Sequence, residues 1–304
     1  MKQNEPTMTT MNSAENTNGR RVLLLLHPKR ESAIVAGLAI GRGLAAAGVA
    51  VEHHLSSDGA GIPEITRFSG RSIKDFELIV VLGGDGTMLR SAELSYGADI
   101  PILGINVGHM GFLAEVDRPT NDEIVRAIVE RDFVKETRMC ISYEIERHGS
   151  IIDTGWALNE IVIEKESSQM VELFVSVDQR PLSLWNCDGV LCATPTGSTA
   201  YAFSAGGPVV WPDVDALVLL PLAAHALFAR PMVLSPKSEI AISVRSESAT
   251  LSADGFRNKP LVEGDLIRIT RDSQTFTLAR MSSAPFTNRL VAKFQLPVAG
   301  WRGV

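Results

Sequence analysis

Hydrophobic positions along the chain fall into two textures. Residues 22–26 form an unbroken apolar run, the pattern of a strand covered on both faces. A helical stretch follows to about Ala47, with Ser32 as its candidate cap and Gly48 as its stop. Residues 49–55, 76–82 and 100–107 read as three more strands, and 88–96 as a helix after the third of the four. Thr120 with Glu123 three residues on is a capping-box pattern for a helix ending near Arg131. Strand and helix alternate throughout, which predicts a Rossmann-like α/β domain: a parallel sheet with helices on both faces.

Near residue 138 the period changes. Ile141, Tyr143 and Ile145 alternate with polar neighbours, and His148-Gly149-Ser150 reads as a turn. Short strands are expected at 171–177, 239–244, 266–270 and 276–278, the texture of an all-β, sandwich-like C-terminal domain. The expected organisation is therefore a polar, disordered tail over residues 1–20, an α/β domain over 21–138, a β-rich domain over 139–284, and a terminal segment, 285–304, in which the alternation is lost.

Composition narrows the classes. With 45% hydrophobic and 21% charged residues, the 304-residue chain can bury a sizeable core. Lys and Arg number 29 against 35 Asp and Glu, a net charge of −6, which argues against a general nucleic-acid field. A locally positive phosphate site remains compatible with that balance. No run reaches the length of a membrane-spanning helix, and no secretory leader is apparent. Three cysteines (Cys140, Cys187 and Cys192) without a Cys-x-x-Cys pair predict a reducing, cytoplasmic setting.

Three constellations could carry chemistry. The first is Gly83-Gly84-Asp85-Gly86-Thr87, directly after an apolar strand. Ligands of open parallel sheets bind beyond the carboxyl ends of strands, and glycines let phosphates approach backbone N–H groups. Asp85 would repel a phosphate unless a divalent cation intervenes or the acid faces a hydroxyl, and both situations suit phosphoryl transfer. The second is Asp188-Gly189 followed by the hydroxyl-rich run from Thr194 to Tyr201 and by Gly206-Gly207-Pro208. This is either a decorated surface loop or a buried polar loop satisfied by a ligand. The third is Asn159-Glu160 between Leu158 and Ile161, an edge feature or a ligand contact. The tryptophans read as packing residues, and Glu146/Arg147 and Lys165/Glu166 as solvated strand faces.

Taken together, the Gly-Gly-Asp-Gly-Thr loop, Gly104-Ile105-Asn106 with Gly108, Gly111-Phe112-Leu113, Asn159-Glu160, Asp188-Gly189 and Thr194-Pro195-Thr196-Gly197-Ser198-Thr199-Ala200-Tyr201 resemble the NAD kinases over about residues 22–300. The glycine loop alone is shared with lipid- and phosphofructokinase-like enzymes, whereas its combination with the hydroxyl-rich run is far more specific. The resemblance implies transfer of a phosphoryl group from ATP, with Mg²⁺ or another divalent cation, to the 2′-hydroxyl of the adenosine ribose of NAD. A lipid or sugar kinase, and a non-catalytic NAD sensor, are the alternatives. The resemblance further implies a cleft between the two domains, a C-terminal segment returning to the first, and a homodimer or homotetramer.

Carried to this sequence, it implies Asp85 as the residue activating the acceptor hydroxyl, with Gly83, Gly84, Gly86 and Thr87 around phosphate. The NAD contacts implied are Asp85, Gly86, Arg90, Phe112, Asn159, Glu160, Asp188 and the run Thr199, Ala200, Tyr201, Ala202, Phe203 and Ser204. His225 and Asn106 are further candidates near the site. Met170, Asn186 and Phe256 depart from basic or polar residues found in some members, and Ala224 from an acid.

Overall fold

The computed structural model describes residues 19–55, 65–107, 111–114, 119–282 and 284–298. Most of the expected N-terminal tail, Gly108, Trp301 and the last six residues lie outside them. The first half contains β1 (Arg21–Leu26), α1 (Glu31–Ala46), β2 (Ala50–Leu55), β3 (Thr66–Arg67), β4 (Leu78–Leu82), α2 (Asp85–Ser95), β5 (Ile102–Ile105) and α3 (Asn121–Glu130). β1 pairs in parallel with β2 and β4, and β4 with β5. Every residue of β4 and β5 is buried, because helices cover both faces. Val22, Leu24 and Leu26 pack with Ile40 and Leu44 of α1 and Ile124 and Ile128 of α3. Leu23 and Leu25 point the other way, to Met88 and Ala92 of α2. The period-2 pleat thus sends one helix pair and one single helix to opposite sides.

The second half is built of strands: β6 (Val134–Arg147), β7 (Ser150–Ala157), β8 (Glu160–Glu164), β9 (Val171–Val177), β10 (Arg180–Cys187), β11 (Gly189–Ala193), the short α4 (Tyr201–Ser204), β12 (Leu217–Leu222), β13 (Met232–Leu234), β14 (Ile240–Val244), β15 (Ser248–Ala253), β16 (Arg257–Val262) and β17 (Leu266–Arg280), closed by α5 (Phe286–Phe294). β8, β11, β12, β13, β15 and β16 form a six-stranded sheet. The other strands of this half join the parallel strands in one 11-stranded sheet, in which β17 pairs with β5 in parallel and with β14 and β6 antiparallel. Ile141, Tyr143, Val175 and Trp185 of the large sheet face Ile161, Val190, Leu219 and Leu251 of the small one in a shared core. An N-terminal α/β domain and a C-terminal β-rich domain are both present, as expected.

Several local readings need correction. β17 is one strand where the sequence suggests two, because a register shift between Arg271 and Thr275 interrupts the alternation without ending the pairing. Residue 138, the expected boundary, falls inside β6. Helix α1 begins at Glu31 with Arg30 at its N-cap, and the Ser32 hydroxyl instead donates to the Val107 carbonyl. Helix α2 begins at Asp85, one turn before the first good helix former, so part of the glycine loop is helical. Arg147 is not simply solvated: it pairs in two hydrogen bonds with Asp265, whose side chain is fully buried. The Thr120–Glu123 capping box is present, with both reciprocal hydrogen bonds made.

Candidate active site

Gly83 continues the sheet, its N–H donating to the Ile105 carbonyl, and a Cβ there would overlap the Thr87 side chain. Gly84 and Gly86 face open space instead. Gly84 caps α2 through its carbonyl, which accepts from Thr87 and Met88. The first N–H groups of a helix lack intrahelical acceptors, and its N-terminus carries partial positive charge. Asp85, the first helical residue, complements that charge and also reaches the backbone of the segment after β5. Its Oδ2 accepts the Phe112 N–H at 2.9 Å and its Oδ1 the Leu113 N–H at 3.1 Å.

On the outer side of the glycine loop lies a cleft of about 540 Å³, lined by His27, Lys29, Arg30 and Arg90 together with Gly84, Gly86 and Thr87. Burial holds the imidazole of His27 below its usual pKa, with Arg30 and Arg90 adding to the effect. Sequence reasoning missed the three residues after β1. The rule that drew attention to residues 83–87, polar groups at the carboxyl end of a parallel strand, applies equally to His27, Lys29 and Arg30. Arg90 also lines a neighbouring cavity with His54, Glu93 and Phe256.

The second group of candidate residues lies in the link between β7 and β8 and in the run after β11. Asn159 and Glu160 are buried, and one Glu160 oxygen, Oε2, has no hydrogen-bond partner among the described residues. Burial, then the nearby Asp254, pushes the Glu160 carboxyl up to about 8, although the Tyr201 N–H pulls the other way. At neutral pH it is therefore an uncharged acid that can donate as well as accept.

The hydroxyl-rich run proves largely self-satisfied. Thr194 donates to the Leu158 carbonyl and accepts from Gly197, and Ser198 bonds to Pro195 and Val210. Thr199 turns to the Thr196 carbonyl. Gly197 abuts the Asn159 backbone so closely that a Cβ would collide with it. The loop's hydroxyls thus hold its own backbone in place, while Ala200 is half-buried and Tyr201, Phe203 and Ser204 are exposed. Ala202 is buried beneath them.

Phe112 and Phe203 come from the two sides and meet through α5: Phe112 packs on Phe286 and Phe294, and Phe203 stacks on Phe294 at 4.5 Å. Trp211 contacts Phe286 edge-on, and Trp156 stacks on Tyr96. Asp188 pairs with Lys165, which is half-buried beside it. His225 is exposed, its backbone N–H donating to the Asn186 carbonyl, while Asn106 is buried after β5.

Phosphates can be neutralised on one side of the loop while an alcohol meets a carboxylate on the other, and that division of labour defines a nucleotide phosphotransferase. Comparison with known proteins names the family. The family model for the ATP-NAD kinase N-terminal domain matches residues 12–133, and the one for the C-terminal domain matches residues 158–281. An NAD kinase of Thermobifida fusca is 47% identical, the match covering 100% of this chain and 98% of that protein. NAD kinase 2 of Streptomyces avermitilis is 43% identical over 94% of this chain and 98% of that one. Among solved structures, an NAD kinase from Archaeoglobus fulgidus in complex with ATP superposes with a TM-score of 0.71 at 25% identity, covering 90% of this chain and 98% of that chain. Yeast NADH kinase complexed with NADH reaches a TM-score of 0.79 at 22% identity, covering 94% and 89%, and shares the fold. The chain belongs to the ATP-NAD kinase family.

Proposed function

We infer that this protein is an NAD kinase that moves a phosphoryl group from ATP to the 2′-hydroxyl of the adenosine ribose of NAD, giving NADP. The observation that carries the reading is the carboxylate of Asp85, anchored by two N–H groups beside glycines left open to a cationic cleft. NAD lies between the α/β domain, residues 21–138, and the β-rich domain, residues 139–284. Asn159 and Glu160 hold its adenosine half, residues 199–204 line the dinucleotide, Phe112 packs against it, and Asp188 with Lys165 faces its nicotinamide end. His225 and Asn106 border this site. The terminal segment, expected over 285–304, returns to the α/β domain through its described residues 285–298, a reading supported by contact of α5 with Phe112 and of Arg289 with Glu136.

His27, Lys29, Arg30 and Arg90 receive the donor's phosphates, with the backbone at residues 83–87. Phosphoryl transfer passes through a loose transition state, so the nucleophile needs alignment more than early deprotonation. Asp85 accepts the hydroxyl proton's hydrogen bond and fixes the oxygen's direction. After transfer the same carboxylate faces a new dianion, and repulsion favours departure of the product.

No three His, Cys, Asp or Glu side chains group as a metal-binding set among the described residues. One protein carboxylate plus donor phosphates is a donor set suited to Mg²⁺, which retains waters and is commonly shared with nucleotide. Asp85 would supply that oxygen. Bound there, the ion would neutralise phosphate charge.

The three unpaired, buried thiols support a reducing, cytoplasmic setting. Exposed Leu182 and Leu184 on β10, at an edge of the large sheet, support assembly into a homodimer or homotetramer. Among the described residues no helix is long and apolar enough to cross a membrane.

The test is incubation with NAD, ATP and Mg²⁺, followed by chromatographic detection of NADP. Formation of NADP is the expected result, and NAD binding without turnover would overturn it in favour of a sensor. Exchanging ATP for inorganic polyphosphate in the same assay reports donor range.

A further inference from the structure

The three-residue turn between β15 and β16 carries Asp254, which adopts a left-handed φ of 51°. Its carboxylate lies next to the link between β7 and β8. Oδ2 accepts the Leu158 N–H at 3.0 Å, and Oδ1 accepts those of Asn159 at 2.6 Å and Glu160 at 3.3 Å. The Asp254 N–H in turn donates to the Glu160 carbonyl. Thr194 takes the remaining groups of the link, its hydroxyl donating to the Leu158 carbonyl and its N–H to that of Asn159. Every backbone N–H and C=O from Leu158 to Glu160 thus has a partner in the protein.

A fourth donor, Arg257, reaches Asp254 Oδ2. Four donors on two oxygens are satisfied only by the ionised carboxylate. The Arg257 guanidinium lies 4.4 Å from the centre of the Trp156 ring, and that ring stacks on Tyr96 at 4.2 Å. Tyr96 follows the last residue of α2, and its hydroxyl donates to Asp272 at 2.5 Å. Asp85 opens the same helix. The acid and the nucleoside-binding pair are therefore tied through one rigid element and a short relay of side chains.

We propose that Asp254 is a positioning residue for NAD, setting the direction of the Asn159 and Glu160 side chains by gripping their backbone N–H groups, with Arg257 as its countercharge. The proposal rests on the reading that Asn159 and Glu160 hold the adenosine half of NAD. Asp254 touches neither substrate nor reacting atoms, so its loss acts on nucleotide affinity ahead of chemistry.

The test is Asp254→Asn, which keeps one acceptor and presents an NH₂ group to an N–H donor. The expected result is a KM for NAD raised about 10-fold or more, the order that follows from losing a charge-assisted acceptor, with the KM for ATP unchanged within about twofold. General loosening of the fold would lower the active fraction and leave that split unmade. Arg257→Gln, which leaves all three N–H bonds possible, is expected to raise the KM for NAD by a smaller factor, and it carries the same test should Asp254→Asn fail to fold. Asn159→Ala separates the two levels. If it leaves the KM for NAD unchanged, the reading of the site fails and the proposal with it. If it raises that KM while Asp254→Asn and Arg257→Gln do not, the proposal alone is overturned. In the Asn159→Ala background the effect of Asp254→Asn should shrink, since the two act on one contact.

Discussion

The Asp85 carboxylate occupies the space that a Cβ on Gly111 would need. The carboxylate and the backbone that carries Phe112 are therefore fitted to each other, and Gly111 is glycine because of a side chain 26 positions earlier. Gly111→Ala is expected to push Asp85 and the loop apart. Overpacking of this kind costs roughly 1–3 kcal/mol, and kcat should fall about 10-fold or more as alignment is lost. Steady-state kinetics with a thermal melt distinguishes displaced chemistry from a weakened fold.

Asp85→Asn keeps the volume and removes one of the two acceptors for Phe112 and Leu113. The expected loss in kcat is about 10²–10⁴-fold. Turnover near that of the parent would remove the carboxylate from the mechanism.

Arg30→Ala removes one wall of the cationic cleft. The KM for ATP is expected to rise about tenfold, equivalent to 1.4 kcal/mol, while the KM for NAD holds. The effect should weaken as salt is raised, because the cleft is open to solvent. A rise in the KM for NAD instead would assign the cleft to the acceptor.

Glu160 makes stability depend on pH in an unusual direction. Its folded pKa of about 8 lies above the 4.5 of an ordinary glutamate, so the folded state binds the extra proton between those limits. Stability from this group is present below the lower value and is lost as pH rises toward 8. Glu160→Gln removes the ionisation, so its melting temperature should exceed the parent's at pH 8 to 9, and its decline from pH 5 to 8 should be shallower. Parallel pH series of melting curves check this.

Asp265 gives the opposite sign. Burial opposes its charge, but hydrogen bonds from Arg147 and the Val262 N–H hold its pKa below the usual carboxylate value. This stability is present above the unfolded pKa and lost as pH falls through the folded one. Asp265→Ala removes the acceptor of Arg147 and of the Val262 N–H and should lower stability in denaturant melts while leaving both KM values in place.

Strands buried on both faces announce themselves by unbroken apolar runs, which is why β1, β4 and β5 were legible. β11 and β12 are buried to the same degree, yet β11 opens on Gly189 between polar loop residues and Pro221 interrupts β12, so neither stands out as a strand in the sequence. β16, reading Arg-Asn-Lys-Pro-Leu-Val, is mostly polar because it lies at a sheet edge. In the site, Asp85, Asn159 and Glu160 could be singled out because polar residues interrupt apolar context. Asp254 could not. Its Asp-Gly pair looks like any turn, and its partners lie 94 to 96 residues away, a distance that only tertiary pairing closes. Lys165 was hidden for the same reason, since Asp188 meets it across neighbouring strands.

Because β6 and β17 run side by side from the parallel strands into the antiparallel ones, the two lobes share a continuous spine of backbone bonds. Swinging one lobe against the other would require tearing that ladder, so this molecule has no free hinge along it. The spacing between the lobes is accordingly preset, and the aromatic faces that α5 presses together bridge them outside that ladder.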